Sequence, residues 1–231
     1  MNYERLYSYR FRAVDQRRRD NTWMTLGPML YERLGRPKRL LDPAAGRCEF
    51  INAVPAEERW AVDAVAYEDA VAREGVRLIV SEIMAAELPR EYFDGVFVSN
   101  FLEHLTNQEA VAAFLEKMHD CIMPGGRIAI MGPNFRYCVR EYFDFADHSV
   151  AITEKGVEEH LYAAGFEIRS VAARFLPYSF TGRLPAHPAL VRAYLRVPLL
   201  WRILGKQFLV VAERAGAVSS ASSPSISSLR G

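Results

Sequence analysis

Leu40–Phe50 reads LLDPAAGRCEF. Two leucines and an aspartate have the pattern of a short buried strand, and the small residues after them turn the chain. Nucleotide-binding turns of this shape usually carry two or three glycines, and here Gly46 stands alone. Two registers compete. Read from Ala44 as G-x-G-x-x-G, the stretch offers A-A-G-R-C-E and puts Glu49 at the third glycine. That glycine serves close helix–strand packing, and a carboxylate there opposes a pyrophosphate. Read from Asp42, the strand closes on an acidic residue, which repels phosphate and suits a cationic ligand.

Outward from this stretch, strand-like and helix-like segments alternate. KRLLD is a first strand, with a helix after Gly46. RWAVDAV is a second strand with YEDAVAREG as its helix; VRLIVSEI is a third and FDGVFVSN a fourth, followed by a helix over 107–121. PGG turns into RIAIMGPN, a fifth strand, and TEKGVEEHLYAAG is an amphipathic helix that Gly165 can cap in a left-handed conformation. FEIRSVAARFL and KQFLVVAER complete the pattern. Short apolar strands alternating with helices predict an α/β fold: a Rossmann-like, seven-stranded, mostly parallel sheet with an antiparallel edge pair and helices on both faces. The expected division is an N-terminal helical cap over 1–38, a main domain over 39–213 with a helical insertion at 178–206, and a disordered Ser-rich tail over 214–231. Open sheets of this kind bind ligands beyond the carboxyl ends of their strands.

A chain of 231 residues, half hydrophobic and a quarter charged, fits one soluble domain. Residues 1–40 carry ten basic and four acidic side chains, residues 41–177 twelve and twenty-three, and residues 178–206 five basic and none acidic. That pattern is read either as internal complementarity or as basic flanks for an anionic substrate or membrane surface. The three cysteines lack metal-ligand spacing and cannot all pair internally, so no metal site and a reducing, cytoplasmic setting are expected. The beginning of the chain lacks the apolar core of a signal peptide, and no apolar run is long enough to span a bilayer.

From Asp42, the alternation Asp42-x-Ala44-x-Gly46-x-Cys48 resembles the D-x-G-x-G-x-G motif of class I S-adenosylmethionine-dependent methyltransferases, with its outer glycines replaced. Further segments carry the resemblance: Asp63, twenty-one residues after Asp42, closing the second strand; VSEIMAAELP, similar to G-D-A-x-x-L-P; FDGVFVSNFLEHL, similar to F-D-x-V-x-x-x-x-x-L-E-H; PGGRIAIMGPN; and HSVAITEKGVEEHLYAAGFEI. They run in order from Leu40 to Ile168. The resemblance implies S-adenosylmethionine as cofactor. It places Asp42, Pro43, Ala44 and Gly46 in the first turn, Asp63 and Ala64 at the ribose, Glu82 and Ile83 at the adenine, and Asn100 and Phe101 after the fourth strand. The segment before the first strand often covers the cofactor in this family. A methyl on Ala44 limits backbone approach to the ligand and Cys48 adds bulk, so a protein that keeps the fold for binding or scaffolding is the alternative reading.

Methyl transfer from a sulfonium needs an aligned nucleophile and, for a hydroxyl, a base, for which histidine suits best near neutral pH. Of five histidines, His104 and His148 fall where strands four and five end. His148 is the expected base or acceptor contact and His104 its competitor, against the plainer reading that each orders its loop. Asp144, Asp147, Tyr137 and Tyr142 are secondary, and Arg17, Arg18 and Arg19 are expected on a solvated face. The acceptor is expected to be a small molecule or glycan hydroxyl. An acidic central domain argues against nucleic acid. HPALVRAYLRVPLLWRILGK interleaves apolar residues with arginines. It is read as a helical excursion packed on the sheet or, more sharply, as a basic helix at 188–206 that meets a membrane surface.

Overall fold

The computed structural model describes residues 2–12, 14–65, 67, 72–178 and 187–216. Strands β1 (Arg39–Asp42), β2 (Glu58–Asp63), β3 (Val76–Val80), β4 (Phe93–Ser99), β5 (Ile122–Pro133), β6 (Phe166–Ala172) and β7 (Gln207–Arg214) form one seven-stranded sheet in the order β3-β2-β1-β4-β5-β7-β6. β1 to β5 run parallel, and β7 pairs antiparallel with β5 on one side and β6 on the other. The sheet is therefore the mixed, Rossmann-like one that the alternation predicts.

The helices are α1 (Tyr3–Phe11), α2 (Gln16–Arg33), α3 (Glu49–Asn52), α4 (Gln108–Cys121), α5 (Phe135–Cys138), α6 (Glu154–Ala163), α7 (Pro188–Arg196) and α8 (Pro198–Leu204). Several begin as their sequences dictate: the side chains of Asp15, Asn107 and Thr153 cap α2, α4 and α6 by accepting backbone N–H bonds. Gly165 follows α6 at φ +91, the left-handed residue expected there. Two local readings differ. The helix after Gly46 is a single turn, and PGG does not separate β5 from α4. Instead Phe93 pairs with Ile122 and Gly95 with Arg127, so 123–126 bulge out within the strand. Of the helix expected over 67–75, residues 68–71 lie outside the described residues and 72–75 are not helical but turn into β3; the Ser-rich tail from 217 also lies outside the described residues.

Each central strand feeds two cores, because successive side chains point to opposite faces. Leu41, Val62, Val96, Val98, Ile128 and Ile130 pack with Val111, Phe114, Leu115 and Met118 of α4 and with Val157 and Leu161 of α6. Leu40, Ala61, Phe97, Ala129 and Met131 pack on the other face with Trp23, Leu26 and Leu30 of α2 and with Phe50 and Ile51 of α3. The Phe50 and Phe97 ring centroids lie 4.0 Å apart. Burial on both faces explains why these strands read as continuous apolar runs. No described helix is long and apolar enough to cross a membrane.

The start of β1 is pinned to β4. Lys38 and Arg39 donate backbone N–H bonds to the two carboxylate oxygens of Asp94, at 3.1 and 2.7 Å. Beside it, a Cβ on Gly95 would stand 2.5 Å from Cγ of Pro37 and 2.6 Å from its Cβ. Gly95→Ala is therefore expected to cost about 1–3 kcal/mol through overpacking between two ring and strand backbones that cannot yield. Urea denaturation measures it, and an unchanged midpoint would show that Pro37 moves freely.

Candidate active site

All the expected ligand residues after β1 to β4 gather at one edge, because those strands are parallel and end together. Asp42 ends β1 and is 3% exposed. Its Oδ1 accepts the Ala44 N–H at 3.4 Å. Burial pushes its carboxyl well above the usual range, and the nearby carboxylates of Asp63 and Glu49 push the same way. Asp63 ends β2 and organises the turn that follows β1. Its Oδ2 accepts the Gly46 N–H at 2.7 Å and its Oδ1 the Val65 N–H at 2.9 Å. Burial also raises the Asp63 carboxyl, and these two bonds partly offset the rise.

The turn shows where glycine is needed. Gly46 has φ +52, and a Cβ there would meet nothing within 4 Å, so the space beside it is open. Cys48 has φ +59, a left-handed conformation that a non-glycine residue holds only at a cost. Ala44 has no positive φ, so its methyl carries no backbone penalty. The bulk of Cys48 does not crowd the site: the side chain is fully buried in the α2-side core, where burial pushes its thiol up to about 12.

The remaining expected residues surround this turn. Pro43 is buried and Ala64 is exposed. Glu82 is exposed after β3, and Ile83 packs in the α4-side core. Asn100 takes φ +48 after β4, a conformation asparagine tolerates, and the Phe101 ring lies 4.9 Å from that of Phe114.

The N-terminal helices come over the turn. Arg19 of α2 places Nε 2.5 Å from Oε1 of the buried Glu49. Arg19 thus departs from the solvated face expected for it, whereas Arg17 and Arg18 are exposed. Tyr7 of α1 stacks on Tyr67 at 6.4 Å, and burial raises its phenol, with Asp147 and Asp63 adding to the effect. A cavity of about 230 Å³ between α2 and the turn is lined by Gln16, Asp20, Met24, Arg47, Glu49, Asn52 and Arg73, and does not include Asp42 or Asp63. The convergence of carboxylates and open backbone, and not this cavity, marks the site.

A second group stands at the ends of β4 and β5. Leu102–His104 is a 3-10 turn after β4. The Glu103 carbonyl accepts N–H bonds from Ser149 at 2.8 Å and Val150 at 3.2 Å, and Tyr142 donates its hydroxyl to the Val150 carbonyl at 2.6 Å. These bonds bring His148 beside His104, with ring centroids 4.9 Å apart. His104 Nδ1 lies 3.2 Å from Asp147 Oδ2, and Arg10 of α1 pairs with the same carboxylate. Burial tends to raise the Asp147 carboxyl, but Arg10 and His104 outweigh it and hold it below the ordinary value. Glu103 is 2% exposed, and burial raises its carboxyl against the pull of His104. His148 stacks on Phe145 at 5.0 Å and leaves a buried Nδ1 without a hydrogen-bond partner. Burial first, then His104 and Arg10, push it down to about 4 against the opposing charge of Asp147.

Arg10, Tyr7 and Glu103 were not singled out from sequence. Glu103 sits inside the LEHL motif and was legible there, but nothing in a tyrosine- and arginine-rich N-terminus signals which side chains reach Asp147. Glu103, His104 and His148 also offer donor atoms all within 4.8 Å of one another, a grouping that the spacing of the cysteines does not reveal.

Residues 41–130 match the family model of a methyltransferase domain. No curated protein sequence matches the chain. Among solved structures, the chain is similar to the methyltransferase solved in complex with the Haloferax volcanii Trm112 activator, at a TM-score of 0.63 and 13% identity over 88% of this chain and 96% of that one. A methyltransferase from Archaeoglobus fulgidus gives 0.57 and 22% over 92% and 100%. The 1,6-didemethyltoxoflavin-N1-methyltransferase of Burkholderia thailandensis, solved with bound 1,6-didemethyltoxoflavin and S-adenosylhomocysteine, gives 0.59 and 20% over 92% and 86%. Residues 41–130 thus match a methyltransferase domain, and the fold around them is that of class I S-adenosylmethionine-dependent methyltransferases.

The depressed pKa of His148 has a consequence for stability. In the unfolded chain the imidazole takes up a proton near its ordinary 6.5, but in the fold it stays neutral to about 4. The stabilising contribution is complete above pH 6.5 and is lost as the pH falls through the window from 6.5 to about 4. His148→Gln is expected to flatten that part of the pH–Tm curve. Superimposable curves for the two proteins would show that the fold does not hold the ring neutral.

Proposed function

We propose that the protein methylates a hydroxyl of a small molecule, a sugar or glycan among them, using S-adenosylmethionine. The observation that carries this reading is the meeting of Asp42, Asp63 and the open left-handed Gly46 at the carboxyl ends of the strands, together with a histidine pair of which His104 is held by Asp147. The residues fit the cofactor. Asp63 spends one backbone bond on each oxygen, and a carboxylate has about four acceptor positions, so both oxygens retain capacity for ribose hydroxyls. The carboxylates of Asp42, Asp63 and Glu49 favour a ligand that carries positive charge. The missing Cβ of Gly46 leaves room for the ligand against the backbone.

When bound, S-adenosylmethionine supplies an electrophilic methyl group on a sulfonium. The chain's task is alignment and the acceptor's proton. His104, donating Nδ1–H to Asp147, presents the Nε2 lone pair, so the hydroxyl proton passes to Nε2 as the oxygen becomes the nucleophile. Asp147 on one side and Glu103, 3.9 Å from Nε2, on the other offset the charge that the ring gains. His148 was the foremost candidate on sequence. A base near 4 is poorly matched to neutral pH, so its place in this reading is contact with the acceptor, and His104 takes the proton.

A second reading is a protein that keeps the fold without methyl transfer: one fold neighbour is named for a different reaction, the [4+2]-cyclase SpnF, at a TM-score of 0.59 and 16% identity over 84% of this chain and 81% of that one. A protein that keeps the fold to bind or scaffold would bind the cofactor and show no methyl transfer to any acceptor.

Calorimetric titration with S-adenosylmethionine is expected to show saturable binding. Asp63→Ala should weaken it by about tenfold or more, since a bond to a charged group contributes about 1.5–3 kcal/mol. Unchanged affinity in a folded Asp63→Ala protein removes the cofactor assignment. For the chemistry, with labelled methyl transfer screened over hydroxylated acceptors, His104→Ala is expected to lower turnover by about 10²–10⁴-fold with cofactor affinity intact. Full activity of both His104→Ala and His148→Ala would leave alignment alone to carry the reaction.

A further inference from the structure

α7 and α8 use their inner faces for folding. Tyr194 donates its hydroxyl to the Phe175 carbonyl at 2.6 Å, Trp201 donates Nε1–H to the Tyr194 carbonyl at 2.9 Å, and the Trp201 ring lies 5.0 Å from that of Phe175. Tyr194, Leu195 and Trp201 thereby pack on the α2-side core. The outer face has no such purpose, yet it is apolar. Leu190 is 53% exposed, Leu199 63% and Ile203 61%, with Val197 and Leu204 beside them. Leu199, Arg202 and Ile203 occupy positions i, i+3 and i+4 of α8 and so share one face.

Charge accompanies the apolar residues. Arg192, Arg196 and Arg202 are exposed in the same two helices, and no acidic residue occurs over 178–206. Among the described residues none of the three forms an ion pair, and the contact seen is Arg192 Nε donating to the Pro188 carbonyl at 3.4 Å. An ordinary solvated helix face mixes both signs of charge and carries few large apolar side chains. Here long cationic side chains flank exposed leucine and isoleucine on two short helices, the composition of a helix that lies in a bilayer interface. The surrounding domain supplies an orientation. Residues 41–177 carry eleven more acidic than basic side chains, twenty-three against twelve, and an anionic surface repels them while it attracts α7 and α8.

We propose that α7 and α8 dock the protein on an anionic phospholipid surface. The outer apolar residues enter the headgroup boundary and Arg192, Arg196 and Arg202 meet the phosphates. The surface lies outside the groups assigned to methyl transfer, and vesicle binding is read without cofactor or turnover, so either conclusion can fail alone.

The test is co-sedimentation of the full chain with vesicles of phosphatidylcholine alone and of phosphatidylcholine mixed with phosphatidylglycerol. Binding to the mixed vesicles, weak binding to the neutral ones and release at high salt are expected. Arg192→Glu/Arg196→Glu/Arg202→Glu should lower the partition coefficient by about tenfold or more, as should Leu199→Asp/Ile203→Asp. Arg192→Lys/Arg196→Lys/Arg202→Lys, which keeps the charge, should retain it. Thermal unfolding confirms that each variant is folded. Lack of binding to anionic vesicles by the unaltered chain overturns the proposal whatever the variants do. So does equal binding by the glutamate or aspartate variants. A concentration-dependent dimer in light scattering, abolished by Leu199→Asp/Ile203→Asp without any vesicle binding, assigns the face to a second copy of the chain and overturns it too.

Discussion

A sheet covered on both faces leaves polar side chains one outlet, the ends of its strands. In this protein that constraint sets the position of nearly everything with chemistry in it. Leu40 and Leu41 must point to opposite cores, and so must Ala61 and Val62. The first residue free to be charged is therefore the last of each strand, Asp42 and Asp63. Five parallel strands bring those ends to one edge, and the crossovers deliver the loops that follow to the same place.

Grouping carboxylates at a half-buried edge is costly. Asp63 and Glu49 lie close enough to Asp42 to raise its protonation, on top of the larger effect of burial. Arg19 meets Glu49 from α2, and Arg10 meets Asp147 from α1. Each helix thus contributes one cation to one acidic group, and the strongly basic start of the chain finds its counterpart in the acidic middle. Part of the uneven charge pattern is therefore internal complementarity. The basic stretch of α7 and α8 is different, because its arginines meet no carboxylate among the described residues.

The fold was largely legible because burial on both faces writes itself as apolar runs, and because Asp15, Asn107, Thr153 and Gly165 announce helix boundaries locally. The turn was legible for the same reason: Asp42, Gly46 and Asp63 follow the strand ends. Which small residues of the turn take a positive φ was not legible: they are Gly46 and Cys48, and not Ala44. The acceptor side was legible only in part. His104 and His148 could be named from where strands end, but their roles depend on burial and on Asp147, which holds one ring and only opposes the burial of the other. Arg10 was illegible, because no local pattern tells which side chain of a short N-terminal helix crosses to a distant loop.

That crossing has a consequence for how the protein is made. Arg10 and Asp147 are 137 positions apart. A nine-residue helix is marginal alone in water, so α1, which meets α2 and Tyr67 through ring contacts, lacks its ion pair until the segment after β5 is in place. An element that precedes β1 is thus tied to the segment after β5. Closing so long a loop carries an entropic cost that local helices avoid. The strand pairings of the sheet do not include that contact, so the arginine of the His104–Asp147 pair is the part of this group whose placement costs the most chain entropy.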